Sequence, residues 1–365
     1  MNALTPFRPQ PDGVNWPTHG WPIATLDASV NQVELNSALA SLFDHGVNPP
    51  AGQGISLATL VVHRGEIVVE QYGVQPDTAF GPGGPVDQDT TLISWSMAKS
   101  MTQAVLAIVI DELGIDVDAP VDIAEWASDE RRNITLRQLL QMRDGLDFVE
   151  DYLIDESGNS VSDVINMLFG SGADDVATYA RSRPLKNEPG SVWSYSSGTT
   201  NIICSLLRQY IGGGDVAELL KQRIFDVLGM TSATGRSDAA GNFIGSSYVY
   251  ATARDFAKFG YLYLRGGQWG GQQLIPKEWV ESARVQHASD HDSDHGYGLH
   301  WWIWKSLAGC MSAQGYEGQR IIVMPDRDLV VVHLGKWVAE TAPTLDRHLL
   351  TLIKPSRLTH DIGAR

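Results

Sequence analysis

Hydrophobic positions along this chain change period more than once. ASVNQVELNSALASLFDH (28–45) sets Val33, Leu35, Leu39, Leu42 and Phe43 at helical spacing. LATLVVHRGEIVVEQYG (57–73) then places two β-branched runs around Arg64-Gly65-Glu66, the pattern of a β-hairpin. After a Gly/Pro loop at 74–89, TTLISWSMAKSMTQAVLAIVIDELG (90–114) reads as an extended piece entering a long apolar helix. The middle of the chain keeps the helical period. NITLRQLLQMRDGLDF (133–148) predicts a helix capped by Thr135 and ended by Gly145, and SDVINMLFGSG (162–172) another capped by Ser162 or Asp163. EPGSVWSYSSGTTNIICSLLRQYIGGG (188–214) predicts a turn, a short extended piece and a buried helix closed by glycines. DVAELLKQRIFDVLGM, ATARDFAKFGYLYLRGG and IPKEWVESARV follow as amphipathic helices.

The last quarter returns to strand patterning. YGLHWWIW, AGCMSAQG and QRIIVMPDRDLVVVHLG predict three strands near the C-terminus joined to the hairpin, with a turn at Asp326-Arg327-Asp328, and TAPTLDRHLLTLIK closes the chain as a helix. Neither the hairpin nor the C-terminal strands can stand alone with their edges bare, so the two ends pair into one sheet. The expected fold is α/β of the α+β type. An antiparallel sheet is covered by the terminal helices and joined to a mostly helical lobe. The boundaries are an extended arm over 1–26, an α/β lobe over 27–95 and 296–353, and a helical lobe over 96–295, all in a single domain over 1–365.

Composition narrows the function classes. Of 365 residues 43% are hydrophobic, and 27 basic against 43 acidic residues give a net charge of −16. No basic stretch suits a nucleic acid or an anionic membrane surface. Cys204 and Cys310 lie in apolar runs and read as buried free thiols. MNALTPFRPQPDG lacks the apolar core of a signal peptide, so a cytoplasmic location is expected. The oligomeric state has no signature in the pattern.

Chemistry concentrates at Ser96-Met97-Ala98-Lys99, the one Ser-x-x-Lys in the chain. Residues at i and i+3 share a helix face, so the hydroxyl and the ammonium can meet. A serine hydroxyl needs a neighbouring base to act as a nucleophile, and a lysine serves once its charge is destabilised. Trp95, Met97, Ala98 and Met101 supply an apolar setting for that. Tyr195, in WSYSSGT beside Ser196 and Ser197, is the candidate to carry the proton onward, with its phenol expected to shift toward phenolate beside the lysine. Gly315-Tyr316-Glu317-Gly318-Gln319 lies between two strands, where glycines permit close backbone approach, and Tyr316 is the candidate second oxyanion N–H. Trp193, Tyr297, Trp301 and Trp302 suggest an apolar acyl or alcohol pocket.

Rival readings are weaker. GPGGP (81–85) lacks the G-K-[ST] of a phosphate loop, and the G-x-S-x-G elbow is absent. His287, His291, Asp292, Asp294 and His295 could share a helix face around a metal, but their Asp/Ser/Gly surroundings favour a solvated loop. No metal or cofactor is expected.

The order Ser96-x-x-Lys99, Tyr195-Ser-Ser197 and a glycine-rich late strand resembles the penicillin-binding-protein-like serine hydrolases. ITLRQLLQMRDGLDF, YATARDFAKFGYLYLRGGQWGGQQLIPKEWV and GYEGQRIIVMPDRDLVVV resemble segments of the class C β-lactamase-related branch, over about residues 56–335. That branch includes esterases and 6-aminohexanoate-dimer hydrolases. Two departures shape what the resemblance implies. Ser197 stands where the β-lactamases carry an asparagine, and the stretch from Cys310 to Gln319 lacks the lysine that receives a β-lactam or peptide carboxylate. Tyr-x-Ser and Gly-x-x-Gly-Gln look more like the aminohexanoate-oligomer hydrolases and related esterases. The resemblance then implies catalytic Ser96, Lys99, Tyr195, Ser197 and Tyr316, with Tyr152 closing over the substrate and Glu317, Gln319 and Trp301 beside it. The expected activity is hydrolysis of a small-molecule ester or short amide. The alternatives are an aminohexanoate-oligomer amidase, a weak β-lactamase, and a non-catalytic binding protein on the same scaffold.

Overall fold

The computed structural model describes residues 4–25, 31–78, 81–152, 161–290, 293 and 295–353. Its main sheet has eight strands: β1 (Ile55–His63), β2 (Glu66–Tyr72), β3 (Ala288–Ser289), β4 (His295–Tyr297), β5 (Trp302–Trp304), β6 (Met311–Gly315), β7 (Gln319–Met324) and β8 (Leu329–Lys336). The spatial order is β3-β4-β5-β6-β7-β8-β1-β2, and every pairing is antiparallel. The N-terminal hairpin therefore joins the C-terminal strands through β1 and β8, in the register Val61↔Val331 and Leu60↔Val332.

Both faces of this sheet are buried, which explains the unbroken apolar runs of β1, β7 and β8. Leu60, Val62, Ile321, Val323, Val330 and Val332 point into the larger core. Their neighbours Val61, Ile322, Leu329 and Val331 point into a second core. The period of two is present, but each half of it meets a covering layer. Helices α1 (Gln32–Phe43) and α5 (Ala342–Leu352), one from each end of the chain, cover the second face. Asn31 starts α1 by accepting the Glu34 N–H; residues 28–30 of the expected helix lie outside the described residues. Helix α4 (Ala253–Leu264) lies on the first face against β1, β7 and β8. At Gly260 a Cβ would sit 2.6 Å from Ile321 and 2.7 Å from Val330 side chains, so the glycine sets how closely helix and sheet approach.

The helical layer contains α2 (Ala98–Leu113) and α3 (Ser197–Tyr210). It stops short of the expected boundary at 295, because α4 and β3 already belong with the sheet. The arm runs along the sheet's edge: Ile23 bridges Ile67, and the Ile67 N–H donates to Pro22 O, which shields part of β2.

Local differences from the pattern have identifiable causes. The helix expected over 133–148 is only Leu136–Leu140, opened by a capping box of Thr135 and Gln138. Met142 is left-handed at φ 57°, which ends the helix early. Gly145, also left-handed at φ 81°, accepts the Lys186 and Asn187 N–H groups, so it fastens a neighbouring loop instead of capping a helix. YGLHWWIW forms two short strands, broken at His300 with φ 57°. Six strands rather than three therefore come from the C-terminal part. Among the described residues no helix is long and apolar enough to cross a membrane.

Candidate active site

The segment before Ser96 is held from several sides. The Ser94 N–H donates to Val249 O at 2.8 Å, and the Val249 N–H returns to Ser94 Oγ at 3.2 Å. Trp95 then takes φ 44°, a conformation that a bulky residue adopts only when its surroundings impose it. Its indole donates to Glu317 Oε2 at 3.2 Å. Ser96 sits on the one-turn 3-10 helix Trp95–Met97 that leads into α2.

Lys99, 1% exposed, occupies the first turn of α2. Its Nζ donates to Ser96 Oγ at 2.9 Å, Ser197 Oγ at 2.9 Å and Ser246 O at 3.1 Å. Three acceptors satisfy the full ammonium. Burial still disfavours the charge and lowers Lys99 to about 8, opposed by the nearby Glu150 carboxylate.

Ser197 is placed by α3. Ser196 caps that helix by accepting the Thr199 N–H at 3.0 Å. The Ser197 N–H, free at the helix N-terminus, donates to Glu150 Oε2 at 2.7 Å, and its hydroxyl donates to Glu150 Oε1 at 2.7 Å. Glu150 was not among the residues singled out by sequence. It stands two residues before Tyr152 in FVEDY, where no periodicity marks it; its one signal is a carboxylate directly after the apolar Phe148-Val149. Burial raises its pKa, against the opposing pull of Lys99 and Ser197.

Tyr195 brings its ring 4.9 Å from Lys99 Nζ and shares the cleft wall with Ser96. The expected drift toward phenolate is reversed. Burial and the Glu150 charge push the Tyr195 phenol far up, and these outweigh the opposing influence of Ser96. Tyr195 therefore keeps its proton.

The side of the cleft where an oxyanion donor was expected is built by β6. Gly315 has an ordinary extended φ of −132°, so its constraint is space. A Cβ there would overlap the Ser94 carbonyl oxygen and lie 3.1 Å from the Ser96 nitrogen. The strand thereby reaches Ser96, and the next N–H is that of Tyr316. Ser96 and Tyr316 both lie in the first turn of one-turn 3-10 helices, where N–H groups have no intrahelical acceptor. Glu317 is left-handed at φ 59°, and its carboxylate pairs with Lys336 at 3.3 Å besides accepting from Trp95. Arg320 Nη1 donates to Gly315 O at 3.3 Å and Gln319 O at 3.1 Å, tying together the two ends of the turn.

These groups line a cleft of about 310 Å³ with Ser96, Tyr152, Tyr195, Trp302, Tyr316 and Trp337 in its walls. Tyr152, 54% exposed, sets its ring tilted against that of Tyr316, 5.1 Å between centroids, on the cleft wall. Glu317 lines the cleft as well. Two expected substrate contacts lie elsewhere. Gln319 is buried and spends its amide on Gly335, donating to its O at 2.8 Å and accepting from its N–H at 3.1 Å. Trp301 is fully buried against Tyr263, at 4.4 Å between rings, while Trp302 faces the cleft. Adjacent strand residues face opposite ways, and the break at His300 sets which tryptophan points out.

Of the histidine-rich stretch, the His287 N–H bonds Tyr297 O and His295 lies in β4 with its ring 4.8 Å from Trp304. His291, Asp292 and Asp294 lie outside the described residues. Among the described residues no group of three His, Cys, Asp or Glu side chains could hold a metal.

Similarity to known proteins follows the same lines. The chain is 26% identical over 293 residues to the 6-aminohexanoate-dimer hydrolase of Paenarthrobacter ureafaciens, covering 77% of this chain and 72% of that protein. Its fold matches a Bacillus anthracis protein provisionally named 6-aminohexanoate-dimer hydrolase, with TM-score 0.71, 22% identity and coverage of 95% and 89% of the two chains. It also matches a family VIII carboxylesterase, with TM-score 0.64, 14% identity and coverage of 89% and 99%. The model of the beta-lactamase family matches residues 39–352. That span is most of the sequence, and the chain belongs to the beta-lactamase family.

Proposed function

We propose that this beta-lactamase-fold hydrolase cleaves a carboxylic ester or short amide through an acyl-enzyme on Ser96. The observation that carries the reading is Lys99 Nζ at 2.9 Å from both Ser96 Oγ and Ser197 Oγ, beside a cleft that admits substrate. Neutral Lys99 takes the Ser96 proton as Ser96 Oγ attacks the carbonyl. The N–H groups of Ser96 and Tyr316 receive the developing oxyanion. Tyr195 gives its proton to the leaving group and recovers one from Lys99. Water then enters the same machinery and releases the acid.

Two features favour ester or simple amide over β-lactam. The stretch from Cys310 to Gln319 carries no lysine to receive a carboxylate, and Arg320 beside it is committed to backbone carbonyls and to Asp346. A second reading, cleavage of short ω-amino-acid oligomers, is favoured by the relative from Paenarthrobacter ureafaciens.

Ser96→Ala removes the nucleophile and is expected to abolish turnover of p-nitrophenyl butyrate. Wild-type rates from that variant would refute the assignment. Parallel assays with nitrocefin and the aminohexanoate dimer separate esterase, β-lactamase and amidase. A fluorophosphonate probe that labels nothing would favour a binding protein on this scaffold.

A further inference from the structure

Buried beside the Glu150 carboxylate and lowered to about 8, Lys99 rests mainly as the ammonium at neutral pH, and an ammonium cannot take a proton from Ser96. The proton it must shed has a built path. Lys99 Nζ donates to Ser197 Oγ at 2.9 Å, and Ser197 Oγ donates to Glu150 Oε1 at 2.7 Å. Both bonds point the same way, from lysine to carboxylate. The Ser197 N–H fixes the other carboxylate oxygen at 2.7 Å, so Oε1 faces the hydroxyl.

We propose that Glu150 is the distal proton acceptor of the site, taking through Ser197 the proton that Lys99 sheds before it deprotonates Ser96. The inference rests on the reading of Ser96 and Lys99 as nucleophile and base. The step balances without an outside partner. An Nζ–H bond of Lys99 breaks and a new O–H forms on Ser197, while the old Ser197 O–H breaks and an O–H forms on Glu150. Lys99 is left neutral with its lone pair toward Ser197, a rotation about Cε–Nζ turns that lone pair to the Ser96 hydroxyl, and Glu150 is left as the acid. Protonation by the same path in reverse restores the ion pair once Ser96 is released.

Burial favours the transfer from both ends, since it raises Glu150 and lowers Lys99. The other groups near the pair do not compete near neutral pH. Tyr152, Tyr195 and Tyr297 act on or feel Glu150, and all three phenols are pushed up. Cys204 and His300 feel Lys99; the thiol is pushed up to about 12 and the imidazole down to about 3. Asp151 is the remaining charge beside Glu150, and its carboxylate repels that of Glu150 and so favours its protonation.

Because the ion pair and its neutralised form carry the same number of protons, the wild-type enzyme stays active below the pH at which Lys99 alone would titrate. The test is kcat/KM for p-nitrophenyl butyrate across about pH 5 to 10 for wild type, Glu150→Gln and Ser197→Ala, with Ser96→Ala as control. Both relay variants must then form neutral Lys99 from bulk water. Their acid limbs are expected to move up by about one pH unit or more, with kcat/KM below the limb reduced about tenfold or more and partly recovered at alkaline pH. A limb that stays in place in both variants would leave Glu150 a structural group and overturn the relay. A downward shift would also overturn it, since the carboxylate would then only be stabilising the ammonium. Activity retained by Ser96→Ala would instead overturn the serine reading on which the relay rests.

Discussion

Gly315→Ala tests whether the second oxyanion N–H is held by steric closeness of two backbones. The residue has φ −132° and ψ 160°, which alanine adopts freely, so the substitution adds volume without backbone strain. That volume falls on the Ser94 carbonyl oxygen, 3.1 Å from the Ser96 nitrogen and 3.1 Å from Gln319 Cβ. Ser94 cannot retreat easily, because it is tied to Val249 in both directions. The end of β6 must therefore open by roughly 1 Å to reach ordinary contact. A donor poised about 2.9 Å from the oxyanion then moves beyond useful hydrogen-bond range. Losing one such donor lowers kcat by about 10²–10³, or ~2.7–4 kcal/mol of transition-state stabilisation. Ground-state binding depends on the cleft walls and should change little. The assay is steady-state hydrolysis of p-nitrophenyl butyrate, with Tm measured beside it to separate lost activity from lost fold. A variant whose kcat stays within about threefold of wild type would refute the argument.

Two further perturbations address groups that hold the site in place. Gln319→Ala leaves the buried N–H and O of Gly335 without partners. It should destabilise the fold by about 1–3 kcal/mol in urea unfolding with little change in KM, whereas a large KM effect with unchanged stability would return Gln319 to the substrate. His300 and His333 are buried as neutral rings and pushed down to about 3 and about 4 from the ordinary 6.5. The unfolded chain therefore binds more protons than the folded one from pH 6.5 down to those values. Stability is full above 6.5 and falls by about 1.4 kcal/mol per pH unit for each histidine below it. Urea titrations at successive pH values should show that slope reduced in His333→Gln, and an unaltered slope would count against the assignment.

What the sequence made legible was what repeats or sits at an element's end. β1 and β8 could be read from unbroken β-branched runs, and the caps Thr135 and Ser162 from their place before helical stretches. The meeting of Ser96 and Lys99 follows from a spacing of three. What stayed hidden depends on long-range packing. Glu150 lies in an aperiodic loop and reaches the site only because α3 presents the N–H of Ser197 to it. The charge state of Tyr195 could not be foreseen without it, since the local lysine argued one way and the distant carboxylate the other. Trp301 and Trp302 are chemically identical in the sequence; a single left-handed residue, His300, decides which is core and which lines the cleft. Gln319 looked like a substrate ligand because a buried amide that fastens backbone has the same letter as one that binds substrate.

The two strained residues beside the site explain each other. Among the described non-glycine residues with positive φ, Trp95 precedes Ser96 and Glu317 follows Tyr316. Each such conformation costs of order 1–3 kcal/mol and persists only where its surroundings over-determine it. Here the over-determination is mutual, because the Trp95 indole donates to the Glu317 carboxylate at 3.2 Å and Lys336 holds that carboxylate from the other side. The Trp95 and Tyr316 rings close the gap at 5.8 Å between centroids. Residues far apart in the chain thus fix the Ser96 and Tyr316 N–H groups relative to one another through side chains. Gly315 alone would permit the approach of β6 but would not hold it; the bond between the two strained residues does that, so the arrangement the proposed mechanism needs for the oxyanion is already in place without substrate.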